Sequence, residues 1–497
     1  MTAFPNAAPA VGGAPASVAS ASSPRLDKLY FAAWRWHFYA GLFVIPFLLM
    51  LAGTGFGMML LSSVWPEYGE RLVIEPAAQA LSVEGQVAAA LAAVPGGTAV
   101  SAYATAYAPG NPVLVTVAGP ETPVVVALNP YTGEALRLTA DGQTWEAWLE
   151  DIHGTLLIGT LGDRLIEIAS GLGFVLLATG LYLWWPRGGR PWRDLLVPRM
   201  TARGRSLWKS LHTVVGFWVS AALLVFLLTG MAWTGVWGGK WVQAWSTFPA
   251  GVWGDAPASD LTHASLNLKG EKRVPWGLEQ TPLPQSDPAA ASAHHAGPAQ
   301  AAMDHAGHQH HGMTAGPAPD LTAIVTLGQA LDLPGRIRID APKGDTGVWT
   351  ISHDSMSYDS NEPTSDRTVH VDRYSGAVLA DLRYEDYSLA AKGLAVGVAM
   401  HEGQLGLWNV LVNAVMILLI AFLCVSGLVV WWKRRPTGAM RLAAPPRPEE
   451  LPLWKGALAL AVALSMLFPL VGATLIGVLV LDMLVLQNVK PLKRALS

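Results

Sequence analysis

HFYAGLFVIPFLLMLAGTGF, residues 37–56, runs for twenty residues without an Asp, Glu, Lys or Arg. A helix of that length rises about 30 Å, the thickness of a bilayer's hydrocarbon core, so the stretch reads as a transmembrane span that starts beside a histidine. HTVVGFWVSAALLVFLLTGM, residues 212–231, repeats it. In both, glycine stands four residues after the histidine (Gly41, Gly216), and Thr-Gly follows at seventeen and eighteen (Thr54-Gly55, Thr229-Gly230). Two more apolar runs, Leu165–Trp185 and Val410–Trp432, each have a histidine upstream, His153 and His401. They end alike, TGLYLWWPR at 179–187 and SGLVVWWKRR at 426–435. A fifth apolar stretch, from about Leu453 to Leu486, would be about 50 Å long as one helix, too long for a single crossing. Pro469 and Gly472 in its middle suggest a hairpin of two short helices. The expected architecture is a membrane α-helical bundle of about six spans with an internal two-fold repeat, five spans being the alternative.

Composition supports a membrane chain. Apolar residues make up 52%, charged residues 14%, and mean hydropathy is +0.34, whereas soluble domains carry roughly 25% charge. The 21 tryptophans suit bilayer interfaces. A net charge of −3 leaves no footprint for nucleic acid. With Cys424 as the single cysteine, no disulfide within the chain and no Cys-ligated zinc or iron–sulfur site can form. Any cofactor must be held by His, Met or carboxylates.

Lys and Arg set the orientation. Arg25, Lys28 and Arg35 precede the first span; Arg187, Arg190, Arg193, Arg199, Arg203, Arg205 and Lys209 fill the next loop; Lys433, Arg434 and Arg435 follow the fourth span; and Lys490, Lys493 and Arg494 end the chain. These belong inside, giving a multi-pass protein of the bacterial inner membrane with a cytoplasmic N-terminus. The expected organisation is a disordered tail (1–29), first span (30–61), periplasmic domain (62–160), second span (161–186), basic loop (187–206), third span (207–237), second periplasmic domain (238–400), fourth span (401–433), cytoplasmic loop (434–452) and helical hairpin (453–489). The tail lacks the charged start and apolar core of a signal peptide. The first outward segment reads as a helix at Val83–Val94 and strands at Thr98–Ala106, Val113–Val117 and Val124–Leu128. It ends ALNPYTGEALRL (127–138), and the second ends HVDRYSGAVLADL (370–382), each a Tyr-Thr/Ser-Gly turn entering a strand. Residues 255–318 read as a disordered insertion in the second domain.

At WRWHFYAGLFVIPF (34–47), LHTVVGFW (211–218), IHGTLLIGTLGD (152–163) and MHEGQLG (400–406) the chain resembles the PepSY-associated transmembrane helix family. Members of that family include ferric-siderophore reductases of the bacterial inner membrane. The resemblance implies two periplasmic α+β PepSY-like domains and a haem relay carrying electrons outward.

The histidines fit that expectation. His37 and His212 lie at the cytoplasmic ends of the first and third spans, and His153 and His401 on the outward side of the second and fourth. Two and two on opposite faces is what two bis-His b-type haems need, with Gly41 and Gly216 one turn on to clear room for a porphyrin. The alternative for any one of them is an interfacial histidine bonded to headgroups or backbone. Arg35 beside His37 is a candidate propionate partner. Asp163, Arg164, Glu167, Glu402, Asn409 and Asn413 near the spans are candidates to bond propionates or histidine N–H groups. Met58, Met59 and Met231 are alternative ligands or packing. One difficulty is length: straight helices would lift His153 and His401 about 45 Å above the cytoplasmic tryptophans, so a bend at Gly154, Gly159, Gly162, Gly403 and Gly406 is required.

Three functions follow as expectations. The first is a reductase that takes electrons from a cytoplasmic flavoprotein or a membrane quinol and reduces a ferric siderophore or other periplasmic metal chelate. No GxGxxG fingerprint provides a nucleotide-bound donor within the chain. The second is a non-enzymatic PepSY protein for binding or regulation. The third is copper or other metal handling by the insertion HHAGPAQAAMDHAGHQHHGM (294–313), where His305, His308, His310 and His311 form a loose candidate site.

Overall fold

In a computed structural model the described residues are 24–187, 191–242, 257–269, 273–288, 318–435, 442, 444–445 and 455–481. Helix α1 (Pro24–Ser63) leads to the segment between the first two spans, with α2 (Val83–Ala93), strands β1 (Val100–Ala104), β2 (Val113–Ala118), β3 (Pro123–Leu128) and β4 (Ala135–Ala140), and α3 (Trp145–Thr155). Helix α4 (Thr160–Trp184), the short α5 (Arg193–Leu196) and α6 (Gly204–Met231) follow. The second segment holds β5 (Ala258–Thr262), β6 (Pro282–Pro284), α7 (Leu321–Ala330), β7 (Arg338–Asp340), β8 (Trp349–His353), β9 (Arg367–Val371), β10 (Val378–Arg383) and α8 (Leu389–Glu402). Helices α9 (Leu407–Trp432), α10 (Lys455–Leu467) and α11 (Pro469–Leu481) complete the described chain.

Among the described residues four helices are long and apolar enough to cross a membrane: Leu29–Ser63 of α1, α4, α6 and α9. Helix α1 packs against α4 and α9, and α6 packs against the same two, so α1 and α6 stand diagonally across the bundle. Leu223, Leu227 and Ile420, with Leu48, Phe174, Leu177 and Phe226, fill its middle. The expected break at Pro469 separates α10 from α11. Each has 13 residues, about 20 Å of helix and shorter than the hydrocarbon core. Phe468 at the break stacks on Phe174 of α4 with centroids 4.8 Å apart.

The two outward segments were expected as separate domains, but they share one eight-stranded sheet in the order β10-β9-β8-β7-β1-β2-β3-β4. Each contributes a four-stranded antiparallel meander, and β1 pairs with β7 through Ala102↔Asp340, Tyr103↔Ile339 and Ala104↔Arg338. The pairing gives the edge strands β1 and β7 a partner, which separate sheets would leave open to other chains, and leaves β4 and β10 as the edges. Ala90 of α2 and Ile324 of α7 close one face over Tyr103, Val115, Val126, Ile339, Ile351 and Val369. The two Tyr-Thr/Ser-Gly turns join β3 to β4 and β9 to β10. Asn129 Oδ1 accepts the N–H of Tyr131 at 3.0 Å, and Asp372 Oδ1 that of Tyr374 at 2.9 Å. Gly133 and Gly376 take φ values of +77° and +71°, the left-handed region that selects glycine.

The insertion read as disordered is folded over its first part. Strands β5 and β6 pair, and Leu266, Val274, Leu278 and Leu283 pack with Leu382, Tyr387 and Ala391. His263 is fully buried, its Nε2 2.9 Å from Nε2 of His370 on β9. The apolar residues of this part supply a small core. His305, His308, His310 and His311 lie outside the described residues, as does 1–23 of the expected tail, whereas its last part, 24–29, is not disordered but opens helix α1.

Candidate cofactor site

Each of the four histidines is set by one hydroxyl on a neighbouring helix. His37 Nδ1 on α1 lies 3.1 Å from Thr179 Oγ1 of α4, and His212 Nδ1 on α6 lies 3.0 Å from Ser426 Oγ of α9. His153 Nδ1 on α3 lies 2.8 Å from Thr54 Oγ1 of α1, and His401 Nδ1 on α8 lies 2.6 Å from Thr229 Oγ1 of α6. The hydroxyl protons are already committed. Thr54 donates to the Met50 carbonyl (2.8 Å), Thr179 to Val175 (2.6 Å), Thr229 to Val225 (2.7 Å) and Ser426 to Leu423 (3.0 Å). A hydroxyl that donates to its own helix can only accept from imidazole, so Nδ1 carries the proton in all four rings. Nε2 is then left with its lone pair, the form that ligates a metal.

A glycine follows each hydroxyl and admits the ring. A Cβ on Gly180 would stand 3.1 Å from His37 Cε1, on Gly427 3.2 Å from His212 Cε1, on Gly55 3.4 Å from His153 Cε1 and on Gly230 3.6 Å from His401 Cε1. The recurrent Thr/Ser-Gly dipeptide is therefore a histidine socket. Its recurrence was visible in the sequence, but its partner was not, because each socket sits on a different helix from its histidine.

The bend expected above His153 and His401 is present. Helix α3 ends in left-handed Leu156 and Leu157 (φ 52° and 59°), and Gly159 follows at φ 60°. Gly162 packs so close to the Thr155 carbonyl that a Cβ would lie 1.7 Å from its oxygen. Helix α8 ends at Gly403 (φ 87°), and Gly406 (φ 96°) starts α9. Asn409 Nδ2 donates to the Met400 carbonyl at 3.0 Å, and Asn413 Nδ2 to the His401 carbonyl at 2.9 Å, so these two asparagines fasten the end of α8. His153 thus reaches Thr54, seventeen residues along α1 from His37, and the two histidine levels are about 25 Å apart rather than 45 Å.

Between His37 and His212 lies a cavity of about 500 Å³, lined also by Gly41, Gly180, Gly216 and Gly427. That volume is in the range of about 300–1,000 Å³ usual for cofactor sites. The two rings are 6.3 Å apart, centroid to centroid, and come from diagonal helices. A ligating imidazole nitrogen sits about 2 Å from its metal and about 1.1 Å from its own ring centre, so two rings on opposite sides of one metal need about 6 Å. The walls are mostly Leu, Ile, Phe and Trp; Arg205, Lys209 and Arg434 also line it, with Arg199 paired to Asp194. Among the described residues no three His, Cys, Asp or Glu side chains converge as ligands for a bare ion. Two axial nitrogens, apolar walls and cations for two carboxylates fit a macrocycle that brings its own equatorial ligands. At the other level Phe226 sets its ring edge against His401 at 5.0 Å, and the sockets of His153 and His401 stand at matching positions on α1 and α6.

The profile of the PepSY-associated TM region matches residues 34–434, well over half of the chain. The chain belongs to this family. A search of curated proteins returns no match. The matched region takes in all four histidine sockets and the sheet between them.

Several expected partners lie elsewhere. Arg35 donates to the Pro445 carbonyl and to Tyr39 Oη (3.2 Å) and does not line the cavity. The cations that line it, Arg199, Arg205, Lys209 and Arg434, were read only as orientation signals. Glu167 accepts the N–H groups of Val236 (3.0 Å) and Trp237 (3.1 Å), and Asp163 accepts that of Gly235 (3.2 Å) while pairing with Arg164. These carboxylates hold the turn after α6 and bond no histidine. Met231 is packed by Phe468 and Val471, and Met59 lies against the backbone of Gly403, which are packing roles.

Proposed function

We propose that this protein carries electrons across the bacterial inner membrane on two b-type haems and reduces a ferric chelate, such as a siderophore complex, on the outward side. The observation that supports the reading is that each of the four Nδ1 atoms meets a hydroxyl already donating to its own helix, which leaves the four Nε2 atoms free to ligate. His37 and His212 would hold one haem, with Arg199, Arg205, Lys209 and Arg434 meeting its carboxylates, and His153 and His401 the other. When bound, the group supplies reversible one-electron transfer.

The chain's own residues do the rest. The hydroxyls of Thr179, Ser426, Thr54 and Thr229 hold the imidazoles in one tautomer and orientation, as hydrogen-bonded partners of metal-bound histidines do. Leu48, Leu223, Leu227, Phe226 and Ile420 fill the bundle between the two levels with apolar side chains, which disfavour water and ions there. The basic end faces the cytoplasm on the positive-inside rule and receives a flavoprotein or quinol donor. The like sockets of α1/α4 and α6/α9 support a pseudo-two-fold bundle, to which α10 and α11 would add a fifth and sixth crossing.

A vesicle assay tests the direction and substrate. Protein is reconstituted with a reduced flavin inside and a ferric hydroxamate outside, together with a ferrous-specific chelator. Ferrous capture above that of protein-free vesicles is expected. Equal rates in the two would contradict the reading.

A further inference from the structure

The connection between β8 and β9, residues 354–366, is polar yet buried. Asp354, Ser355 and Asp359 are fully buried, and Asp366 is 2% exposed. This loop leaves the sheet and lands on the helix ends beside the outward histidine pair. Met356 packs on Ala232, one turn beyond Thr229, and on Val398, one turn before His401. The Met356 carbonyl accepts Gln404 Nε2 at 2.9 Å, and Tyr358 donates its hydroxyl to Ser62 Oγ of α1 at 2.7 Å.

Inside the loop the charges do not balance. Asp359 meets both nearby guanidiniums, Arg336 Nε at 2.6 Å and Arg338 Nη2 at 3.7 Å. Among the described residues Asp354 accepts the N–H and hydroxyl of Ser357, at 2.8 and 2.7 Å, and feels Arg338 at longer range. Asp366 Oδ1 accepts the Ser355 N–H at 3.1 Å, while Asp366 Oδ2 and Ser355 Oγ are buried without a hydrogen-bond partner among the described residues. A buried carboxylate oxygen with no donor is costly, and a carboxyl that keeps its proton removes most of the cost. Of the other charged groups facing the pair, Arg338 eases the cost at Asp354 only in part, since burial and Asp359 outweigh it. His353 gives its Nδ1–H to the Arg336 carbonyl at 2.8 Å, and Tyr387 stays protonated under the influence of both aspartates. Glu402 and Glu146 act on the loop through Tyr358 and are themselves negative. Burial first, and a negative neighbour second, pushes both Asp354 and Asp366 up.

We propose that Asp354 and Asp366 form a proton-binding site coupled to the redox state of the centre held by His153 and His401; this rests on the haem reading above. For each electron delivered there from the cytoplasmic donor, the pair takes one proton from outward water, one COO⁻ becoming COOH. When the electron passes to the ferric chelate, the same proton is released outward. Charge at the sheet end of the bundle is thereby held constant through the cycle.

The test is a redox titration of the full-length protein in detergent over about pH 6 to 8, comparing wild type with Asp354→Asn and Asp366→Asn. The outward centre's midpoint should fall as pH rises in wild type, with the slope reduced in each variant and the inner centre unchanged. Infrared difference spectra, reduced minus oxidised, should show a carboxylic C=O band in wild type that both variants lose. An outward midpoint indifferent to pH in wild type, which needs no variant to fold, overturns the proposal while leaving the haem reading intact. Protein that binds no haem removes the haem reading and this linkage with it.

Discussion

His401 Nδ1 lies 2.6 Å from the Thr229 hydroxyl, and that hydroxyl gives its own proton to the Val225 carbonyl 2.7 Å away. The chain of donors runs one way, from imidazole to hydroxyl to helix backbone. Removing the hydroxyl leaves the Nδ1–H without an acceptor in a dry site, a loss of about 1–3 kcal/mol. It also frees the ring to rotate. Thr229→Val keeps the volume and deletes the acceptor. Haem affinity at that level should fall about 10–100-fold, the usual effect of losing a partner of a ligating histidine. Haem retention during gel filtration reads this, and Thr54→Val should behave the same way.

The corner between α3 and α4 makes a separate prediction. A Cβ on Gly162 would lie 1.7 Å from the Thr155 carbonyl oxygen. Gly162→Ala must therefore push α3 away from α4 and carry His153 off Thr54. Haem should be lost from the outward level alone, about half of the total, because His37 and His212 are about 25 Å distant. Haem-to-protein stoichiometry measures it.

Core packing of the shared sheet gives a third. Ile339 on β7 is fully buried, and β7 joins the two meanders through β1. Ile339→Ala should destabilise the outward domain by about 2–5 kcal/mol. Thermal unfolding should register the loss, while the absorption spectrum below the transition stays that of wild type.

Stability should also depend on pH with opposite signs at two places. Burial pushes Asp354 from 3.8 up to about 7, so its contribution is full below about 4 and is lost as pH rises through about 7. Burial, opposed by the Thr281 carbonyl, pushes His263 from 6.5 down to about 4. Its contribution is present above about 6.5 and is lost as pH falls through about 4. The melting temperature should form a dome. Asp354→Asn flattens the alkaline side, and His263→Gln the acid side.

Much of this was legible in the chain itself. The spans each hold an apolar run of about twenty residues, so their positions follow from composition alone. Helix α2 and strands β1 to β3 were marked by Val-rich runs between Pro, Gly and Asn. The turns at Gly133 and Gly376 were marked because only a φ near +75° fits there. Pairing across helices was not legible. Nothing in the spacing of His37 says that Thr179, far along the chain, will receive its Nδ1–H. The join of β1 to β7 was hidden for the same reason: an edge strand carries no local sign of its partner. Arg35 misled because adjacency in sequence suggested contact, whereas on a helix the next-but-one residue faces elsewhere.

The central claim is that the two pairs of sockets hold two haems, and one measurement tests it most directly. Reduced-minus-oxidised absorption spectra are recorded for wild type and for His37→Ala, His212→Ala, His153→Ala and His401→Ala, all from haem-replete cells. Wild type should show a sharp b-type α-band and a red-shifted Soret band. His37→Ala and His212→Ala should lose the same half of the signal, and His153→Ala and His401→Ala the other half. Wild type with no haem band, or four variants that all keep full haem content, would contradict the account.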